Sequence, residues 1–429
     1  MHDIRMYNPT HRFETSSMSP VVQNPRVAWK YSSQEGEVGY ISHWNKTVYC
    51  TVDGGRVITA LGEDGNPQWC HEMHDPVGHS DDTYWGFPAV TDDTLYISTK
   101  GSDLYALDAN TGDISWCSEN MVFGDSPAVV DGTIYLGDHG GDVFAVNASN
   151  GNQRWRWESE RIGATTPAVT DGVVYFAHRK AGIVYALDAD SGQQHWFTKT
   201  NIERPSAPTV VDGTVYVAGE DGTLCALDAS SGNQRWCVEL SRTTTSIPAV
   251  VDGTLYVGSR DLYALDANSG DQYWRFETDG HVQFRPPTVV NRTVYATAGD
   301  IYAVDADSGN QHWCFETDND PWPVVAGNDT VYFGDGTTVY ALKEENKENT
   351  KEGDEITKLK METECSTCGA DLSEFADVDF CPECGAERTR KLDCSSCGTD
   401  LTQYGAVDLN FCPECGREVC MDPGNTCDK

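Results

Sequence analysis

The chain is poor in basic residues and has no long apolar runs. Its 30 Lys and Arg residues stand against 67 Asp and Glu residues, which gives a formal net charge of -37. No basic stripe is available to neutralise phosphates, so nucleic acid is not expected as a partner. No run reaches the ~18 apolar residues of a membrane span, and the first twenty residues lack the apolar core of a secretion signal. We therefore expect a cytoplasmic protein without a membrane partner.

The acidic residues are spread over every segment instead of being concentrated in one tail. A local acidic block would indicate an interaction tail. A uniformly acidic, lysine-poor surface instead suits a cytoplasm of very high salt, where screening weakens the repulsion between like charges. The composition therefore predicts a protein of a halophilic cytoplasm.

Tryptophans recur about every 40 residues along most of the chain. They stand at Trp29, Trp69, Trp116, Trp155, Trp196, Trp236, Trp274 and Trp313. Short apolar strands separated by turn residues fill each interval. This period and this pattern predict propeller blades of four strands each.

Residues 247–276 show the expected blade most clearly. Strands are predicted at 249–251, 255–258, 262–265 and 272–276, joined by hairpins at Asp252-Gly253 and at 266–270. Asp and Gly favour such hairpins because they adopt positive φ, and the acid that begins the second hairpin can accept hydrogen bonds from turn amides. This acid recurs as Asp108, Asp188, Asp228, Asp266 and Asp305, with Asn147 once.

Two further features of the repeat have structural explanations. A proline begins the predicted first strand of nearly every unit, and because proline cannot donate to a ladder we place that strand innermost, with a free edge. The prolines are Pro88, Pro127, Pro167, Pro208, Pro248, Pro287 and Pro323. The repeat tryptophans are predicted to be wedges packed between adjacent blades, in preference to stacking platforms for a ligand.

The two ends of the repeat region complement each other. The last unit stops after its third strand and lacks the repeat tryptophan, whereas a lone strand around Trp29 precedes the first complete unit. We expect this N-terminal strand to become the fourth strand of the last blade, which hides the sheet edges. The fold class is then all-β, an eight-bladed propeller over residues 26–343 that follows a disordered arm at 1–25.

The recurrent pattern Pro-Ala-Val-Val-Asp-Gly-Thr-x-Tyr, then Tyr-Ala-Leu-Asp-Ala-x-Ser-Gly, then Trp resembles the pyrroloquinoline quinone (PQQ) type propeller family over about residues 26–343. That family contains quinoprotein dehydrogenases and also non-catalytic members, such as the propeller lipoprotein of bacterial outer-membrane assembly. The resemblance implies the fold, but it does not by itself imply a function.

The resemblance also implies what a quinone site would need. Family dehydrogenases stack the quinone between a tryptophan and a ring formed by two adjacent disulfide-bonded cysteines, and they hold a calcium ion. The sequence contains no two adjacent cysteines. PQQ is therefore not expected as a cofactor, and no catalytic residue is assigned.

Six of the 16 cysteines fall in the propeller: Cys50, Cys70, Cys117, Cys225, Cys237 and Cys314. Four of them directly follow a repeat tryptophan, so they occupy equivalent positions in different blades, too far apart to pair with one another. We expect small buried thiols at these positions.

Two groups of polar residues are candidates for ligand contacts at the mouth of the channel. His71, His74 and His79, with Cys70, Asp81 and Asp82, have the ligand types that suit a divalent metal, although their spacing matches no known site. Arg161, Arg204, Arg242 and Arg285, with His281, fall in successive connections between blades and could form a basic collar for an anion or an acidic peptide. Polar loops and solvated arginines are the alternatives.

Four Cys-x-x-Cys pairs follow a charged linker at 344–363, and they predict two four-cysteine zinc sites within residues 364–418. The first set is Cys365, Cys368, Cys381 and Cys384, and the second is Cys394, Cys397, Cys412 and Cys415. The pattern resembles the double zinc ribbon family. Four thiolates close the coordination shell, so both Zn²⁺ ions are predicted to be structural, with a disulfide framework as the alternative. Cys420 and Cys427, in the tail at 419–429, receive no role.

Three functions remain open on these grounds. The favoured one is a non-enzymatic, monomeric scaffold that binds a protein partner through a rigid propeller and a tethered zinc module. The alternatives are a ligand-binding or PQQ-dependent oxidoreductase that uses the propeller channel, and a nucleic-acid accessory protein that acts through the zinc ribbons.

Overall fold

The computed structural model describes residues 25–53, 55–73, 87–91, 93–98, 103–118, 126–159, 163–240, 246–278, 285–327 and 329–344, with the backbone of Glu14–Thr15. Within these residues, the strands form eight sheets, seven of four strands and one of five. The predicted all-β, eight-bladed propeller is therefore confirmed. The chain divides into two compact units, Met1–Glu345 and Asn346–Lys429, and the described residues all belong to the first. The predicted zinc-ribbon module lies outside them.

The innermost strands of the eight blades form a closed ring. They are β3 (Val38–Trp44), β7 (Ala89–Thr91), β11 (Ala128–Val130), β15 (Ala168–Thr170), β19 (Thr209–Val211), β23 (Ala249–Val251), β27 (Thr288–Val290) and β31 (Val325–Gly327). Each inner strand contacts the inner strands of both neighbouring blades, and β31 contacts β3. Blade 1 therefore meets blade 8 directly, and the inner strands surround a central channel.

The other strands follow antiparallel, moving outward. The second strands are β4 (Thr47–Val52), β8 (Thr94–Ser98), β12 (Thr133–Gly137), β16 (Val173–His178), β20 (Thr214–Ala218), β24 (Thr254–Gly258), β28 (Thr293–Ala298) and β32 (Thr330–Asp335). The third strands are β5 (Val57–Leu61), β9 (Leu104–Asp108), β13 (Val143–Asn147), β17 (Ile183–Asp188), β21 (Thr223–Asp228), β25 (Leu262–Asp266), β29 (Asp300–Asp305) and β33 (Thr338–Glu344). The outer strands of blades 1 to 7 are β6 (Pro67–Glu72), β10 (Ile114–Ser118), β14 (Gln153–Trp157), β18 (Gln194–Lys199), β22 (Gln234–Glu239), β26 (Gln272–Phe276) and β30 (Gln311–Phe315).

The N-terminal strand closes the ring as predicted. Strand β2 (Pro25–Ser32) pairs antiparallel with β33, from Pro25 opposite Glu344 to Ser32 opposite Thr338, and so supplies the outer strand of blade 8. A two-residue strand, β1 (Glu14–Thr15), adds a fifth strand to blade 7. The expectation of a wholly disordered arm therefore does not hold for these two residues.

The predicted hairpin chemistry is confirmed in blade 6. Asp252 and Gly253 have φ of 48° and 77°, so both central residues of the first hairpin are left-handed. In the second hairpin, Asp266 accepts hydrogen bonds from the amides of Asn268 and Ser269, each at 2.8 Å. The strand-start prolines, however, lie just before the inner strands and not within them. A proline at these positions has no N–H to donate to the ladder.

The repeat tryptophans pack between blades, as predicted, and blade 4 shows the geometry. The indole Nε1 of Trp196 donates to the carbonyl of Ala229 in blade 5 at 2.9 Å. The hydroxyl of Tyr175 donates to the same carbonyl at 3.3 Å, and the two rings are 6.0 Å apart. Gly232 of blade 5 lies against the indole, where an added Cβ would approach Trp196 Cε3 to 2.6 Å. One carbonyl thus receives two donors from the preceding blade.

The same tryptophan-to-alanine bond recurs at the other interfaces between blades 1 and 7. The pairs are Trp69–Ala109, Trp116–Ala148, Trp155–Ala189, Trp236–Ala267 and Trp274–Ala306, at 2.9–3.1 Å. Trp29 of β2 donates instead to the carbonyl of Glu63 in blade 1 at 2.8 Å, at the interface where the ring closes.

The expectation of buried thiols was wrong for most propeller cysteines. Cys50 is buried, and its burial raises the pKa of the thiol to about 12. The positions after the repeat tryptophans point outward, because neighbouring residues of a strand face opposite sides. Three cysteines at these positions are exposed and form no disulfide: Cys70, Cys117 and Cys314.

Blade 5 contains a disulfide that the sequence analysis missed. Cys225 on β21 stands directly opposite Cys237 on β22, and the two form a bond with Cα atoms 4.1 Å apart. The signal was available, because Cys225 replaces the tyrosine that other blades carry before Ala-Leu-Asp. Cys225 and Cys237 can pair because they lie on neighbouring strands of one blade.

We predict that Gly232→Ala destabilises the propeller more than Gly213→Ala in the same blade. Both glycines are left-handed, with φ of +73° and +69°. An alanine at either position is held in this unfavourable conformation, which costs ~1 kcal/mol of stability. Only Gly232 lies against an indole, since nothing lies within 4 Å of a Cβ at Gly213. Overpacking should add ~1–3 kcal/mol at Gly232. Urea unfolding followed by tryptophan fluorescence measures the free energy of unfolding of each variant. An equal decrease in the two variants would contradict the packing of Trp196 against Gly232.

Candidate functional site at the channel mouth

The two faces of the ring differ in their connections. On one face, which we call the crossover face, each outer strand leads to the inner strand of the next blade. The opposite face, the hairpin face, carries the turns between first and second strands and between third and fourth strands. The inner strand of each blade pairs with the second strand along one edge, and its other edge faces the channel.

Hydroxyl groups on the inner strands tie successive blades together. Ser42 donates to the carbonyl of Pro88 at 2.6 Å, and Thr209 donates to that of Pro248 at 2.6 Å. Thr288 donates to Val324 in the same manner at 2.7 Å. Each bond leads from one blade to the next, so the wall of the channel is held rigidly.

The residue before the strand-start proline differs from blade to blade. From blade 2 to blade 8 it is Phe87, Ser126, Thr166, Ala207, Ile247, Pro286 and Trp322. Aromatic residues occur only in blades 2 and 8, which flank blade 1, where Tyr40 of β3 lies. The repeat is therefore broken on one side of the channel mouth, at the crossover face.

Tyr40 contacts both of the other aromatic side chains. The ring centroids of Tyr40 and Phe87 are 4.2 Å apart, and those of Tyr40 and Trp322 are 4.7 Å apart. Phe87 also packs against the hydrophobic cluster of blades 6 and 7, although it belongs to blade 2. Its ring therefore reaches across the mouth of the channel.

Arg285 of blade 7 completes this surface, which we call the rim patch: Tyr40, Phe87, Trp322 and Arg285. The guanidinium lies 5.5 Å from the ring centroid of Trp322. It donates to both carboxylate oxygens of Asp320 at 2.8 Å each, and to the carbonyl of Pro321. The Arg285 side chain is 17% exposed, whereas that of Asp320 is 72% exposed. The ion pair fixes the guanidinium over the ring and leaves its acidic partner accessible.

Of the predicted basic collar, the structure describes two members. Arg285 belongs to the rim patch. Arg204 forms an exposed ion pair with Glu220 at 3.0 Å, in blade 5. Arg161, Arg242 and His281 lie outside the described residues. The collar as a whole therefore stays a prediction.

Of the predicted metal loop, only the first two residues are described. Cys70 and His71 are neighbours on β6, so their side chains face opposite sides of the blade and do not converge. Cys70 instead accepts a hydrogen bond from Thr59 Oγ1 at 3.7 Å. The rest of the loop lies outside the described residues, with His74, His79, Asp81 and Asp82.

The zinc cysteines also lie outside the described residues: Cys365, Cys368, Cys381, Cys384, Cys394, Cys397, Cys412 and Cys415. Among the residues that the structure does describe, no three or more His, Cys, Asp or Glu side chains are grouped so that they could hold a metal ion. The described ranges contain no helix of the length and apolar character that crossing a membrane requires.

Two polar features elsewhere belong to the architecture. His43 on β3 is buried against Tyr332, with ring centroids 5.2 Å apart. Burial lowers the pKa of His43 to about 4, so the ring is neutral.

A cleft of about 610 Å³ lies between blades 2 and 3, lined by Trp116, Asp131 and Arg154 among others. It is formed by hairpins and by a repeat tryptophan, which are parts that the other blades share.

The rim patch was not predicted from the sequence, except for Arg285. The available signal was the aromatic residue before the strand-start proline in two units, since the other units carry Ser, Thr, Ala, Ile or Pro there. The contact between Tyr40 and Trp322 joins the two ends of the ring, so it depends on the closure of the propeller.

Solved structures share this fold at low sequence identity. BamB from Moraxella catarrhalis matches with a TM-score of 0.60 and 17% identity over 74% of this chain and 99% of that chain. A quinohemoprotein alcohol dehydrogenase, ADHIIG from Pseudomonas putida HK5, matches with a TM-score of 0.64 and 14% identity over 79% of this chain and 80% of that chain. A europium-containing methanol dehydrogenase matches with a TM-score of 0.63 and 14% identity over 78% of this chain and 96% of that chain. These similarities establish the fold alone.

A search of curated proteins finds no match. The sequence profile of the family described as outer membrane protein assembly factor BamB matches residues 21–161, 155–243 and 226–347, which together span the propeller and most of the chain. The chain therefore belongs to the family of PQQ-type repeat propellers described as outer membrane protein assembly factor BamB.

Proposed function

We propose that this protein is a non-enzymatic, monomeric scaffold of a halophilic cytoplasm, which binds a protein partner through the rim patch. The observation that carries the proposal is the break in the repeat at the channel mouth. A rigid ring of similar blades presents one asymmetric aromatic surface, and this surface can select one partner in one orientation.

The composition of the rim patch fits a protein contact. Trp, Tyr and Arg are the residue types that dominate the energy of protein interfaces. Trp322 and Tyr40 are half-buried, so their rings are already ordered and lose little conformational entropy on binding. At high salt, exposed ion pairs are screened, whereas burial of apolar surface is retained. An aromatic patch is therefore the more robust contact for a protein with a net charge of -37.

Two features support a scaffold over a quinone enzyme. In each of blades 1 to 6, the indole N–H of the repeat tryptophan donates to a carbonyl of the next blade. These indoles are therefore fixed between blades and do not face the channel. The disulfide joins Cys225 to Cys237, 12 positions apart on neighbouring strands, which differs from the adjacent pair of the family dehydrogenases.

The zinc module supplies the second contact in this proposal. The eight cysteines are all of the ligand type and Cys-x-x-Cys spacing that hold a structural Zn²⁺, and a module of about 55 residues with few apolar side chains depends on metal for its folding. The linker at 344–363 tethers the module covalently to the propeller. Two linked contacts on one target gain from effective concentration.

We predict that Trp322→Ala weakens partner capture, whereas Phe197→Ala does not. Phe197 is a matched control because it is an exposed aromatic residue, 57% accessible, on the outer strand of blade 4. Loss of a hot-spot side chain costs ~2 kcal/mol or more, so recovery of the partner should fall about 30-fold. The measurement is affinity purification from lysate at native salt, with the protein bands quantified.

Three outcomes would contradict the proposal. A folded wild-type protein that recovers no stoichiometric partner would contradict the scaffold, and equal recovery by both variants would contradict binding through the rim patch. A bound chromophore after addition of PQQ and Ca²⁺, together with dye-linked oxidation of an alcohol or a sugar, would show that the protein is a dehydrogenase.

The zinc sites give a separate prediction. Elemental analysis of reduced protein should find two zinc ions per chain, and the double variant Cys365→Ser/Cys368→Ser should retain one, because its ligands all belong to the first site. Cys117→Ser removes an exposed thiol of blade 2 and serves as the control that keeps both ions. Zinc-free wild-type protein, or loss of metal in the control, would refute the two-ribbon assignment.

A further inference from the structure

The N-terminal arm adds a strand to the wall of the channel. Strand β1 pairs in parallel with β27, with Glu14 opposite Val289 and Thr15 opposite Val290. It also contacts β23, the inner strand of the neighbouring blade. Because β27 is already paired with β28 on its other side, β1 occupies the edge that faces the channel.

The direction of the chain agrees with this position. Strand β27 runs from the crossover face to the hairpin face, and β1, being parallel to it, runs the same way through the channel. Strand β2 begins at the hairpin face, since Pro25 pairs with Glu344 at the end of β33. β1 therefore ends on the face where β2 starts.

The intervening chain is long enough for this path. Residues 16–24 separate β1 from β2, and an extended chain of that length reaches roughly 30 Å. The four strands of a blade span only about 15 Å from the inner to the outer strand. The same chain can therefore supply the closing strand of blade 8 and a strand in the channel.

Charge favours the arm as an occupant of this channel. Residues 1–24 carry Arg5 and Arg12 against Asp3 and Glu14, so the arm is neutral apart from its histidines and terminus. The rest of the chain carries the whole net charge of -37. A neutral segment with cationic groups is the part of this chain that the acidic ring repels least.

We propose that the channel is a binding site for an extended peptide, that β1 occupies it in cis, and that a strand from the partner binds there only by displacing β1. The channel edge of β27 offers backbone donors and acceptors, so recognition is by strand addition. The tether gives the arm a local concentration on the order of mM, so an untethered strand competes at a disadvantage. Only the displacement step rests on the proposed scaffold function.

The first test uses the full-length chain. The double variant Glu14→Pro/Thr15→Pro removes two backbone donors, whereas Glu14→Ala/Thr15→Ala removes both side chains and keeps the donors. Hydrogen exchange of the β27 amides, read by mass spectrometry, should become at least tenfold faster in the proline variant and stay unchanged in the alanine variant. Equal exchange in wild type and proline variant would overturn the pairing, provided that the amides of β16 and β17 remain protected in both.

The second test measures the channel as a receptor. A fluorescent peptide that copies residues 8–21 should bind the proline variant at least tenfold more tightly than it binds the wild type, because the arm no longer competes. The same peptide with proline at the positions of Glu14 and Thr15 should not bind. Equal affinity for both proteins, or binding of the proline peptide, would overturn the proposal.

The partner separates this inference from the scaffold function. If the partner is recovered by wild type and its yield rises with the proline variant, the arm competes with the partner. If the partner is recovered equally by both, the scaffold stands and displacement of the arm is refuted.

Discussion

One backbone carbonyl holds neighbouring blades together at each of the six interfaces between blades 1 and 7. Ala229 receives the indole of Trp196 and the hydroxyl of Tyr175 from blade 4, and its own amide donates to the carbonyl of Gly213 at 3.0 Å. The alanine thus joins two hairpins of its own blade to two aromatic rings of the preceding one. It directly follows Asp228, whose carboxylate binds the turn amides and so positions the carbonyl. Buried donors without a partner are costly, so Trp, Tyr and the turn must be kept together.

This constraint acts on the hairpin face and leaves the crossover face free to vary. The turns that carry the alanines, the turn glycines and the indoles all meet on the hairpin face or between the blades. The residues before the strand-start prolines take no part in these bonds, and there the repeat is broken by Phe87 and Trp322. A ring that is fixed by one face can therefore present a specific surface on the other. Among the described strands, the inner strand of blade 7 pairs with β1, and the inner strands of the other seven blades keep an unpaired edge toward the channel.

The sequence predicted the features that depend on the repeat. Period, turn residues and the missing tryptophan of the last unit were sufficient for eight blades, for the closing strand around Trp29 and for the wedges. It did not predict the features that depart from the repeat. The contact of Tyr40 with Trp322 requires the closed ring, the Cys225–Cys237 bond requires the register of β21 and β22, and the pairing of β1 with β27 is a single exception to the repeat. Periodicity carries no information about such exceptions, since it averages over the units.

Hydrogen exchange of the indole N–H groups, followed by NMR, tests the carbonyl clamp most directly. Six indoles donate to an alanine of the next blade: Trp69, Trp116, Trp155, Trp196, Trp236 and Trp274. If these bonds hold the ring together, the six N–H groups should exchange together and only through unfolding of the ring, more than ~1000-fold more slowly than free indole. Exchange of these groups at the rate of an exposed tryptophan, in a protein whose strand amides stay protected, would show that the blades are held together by something other than this carbonyl.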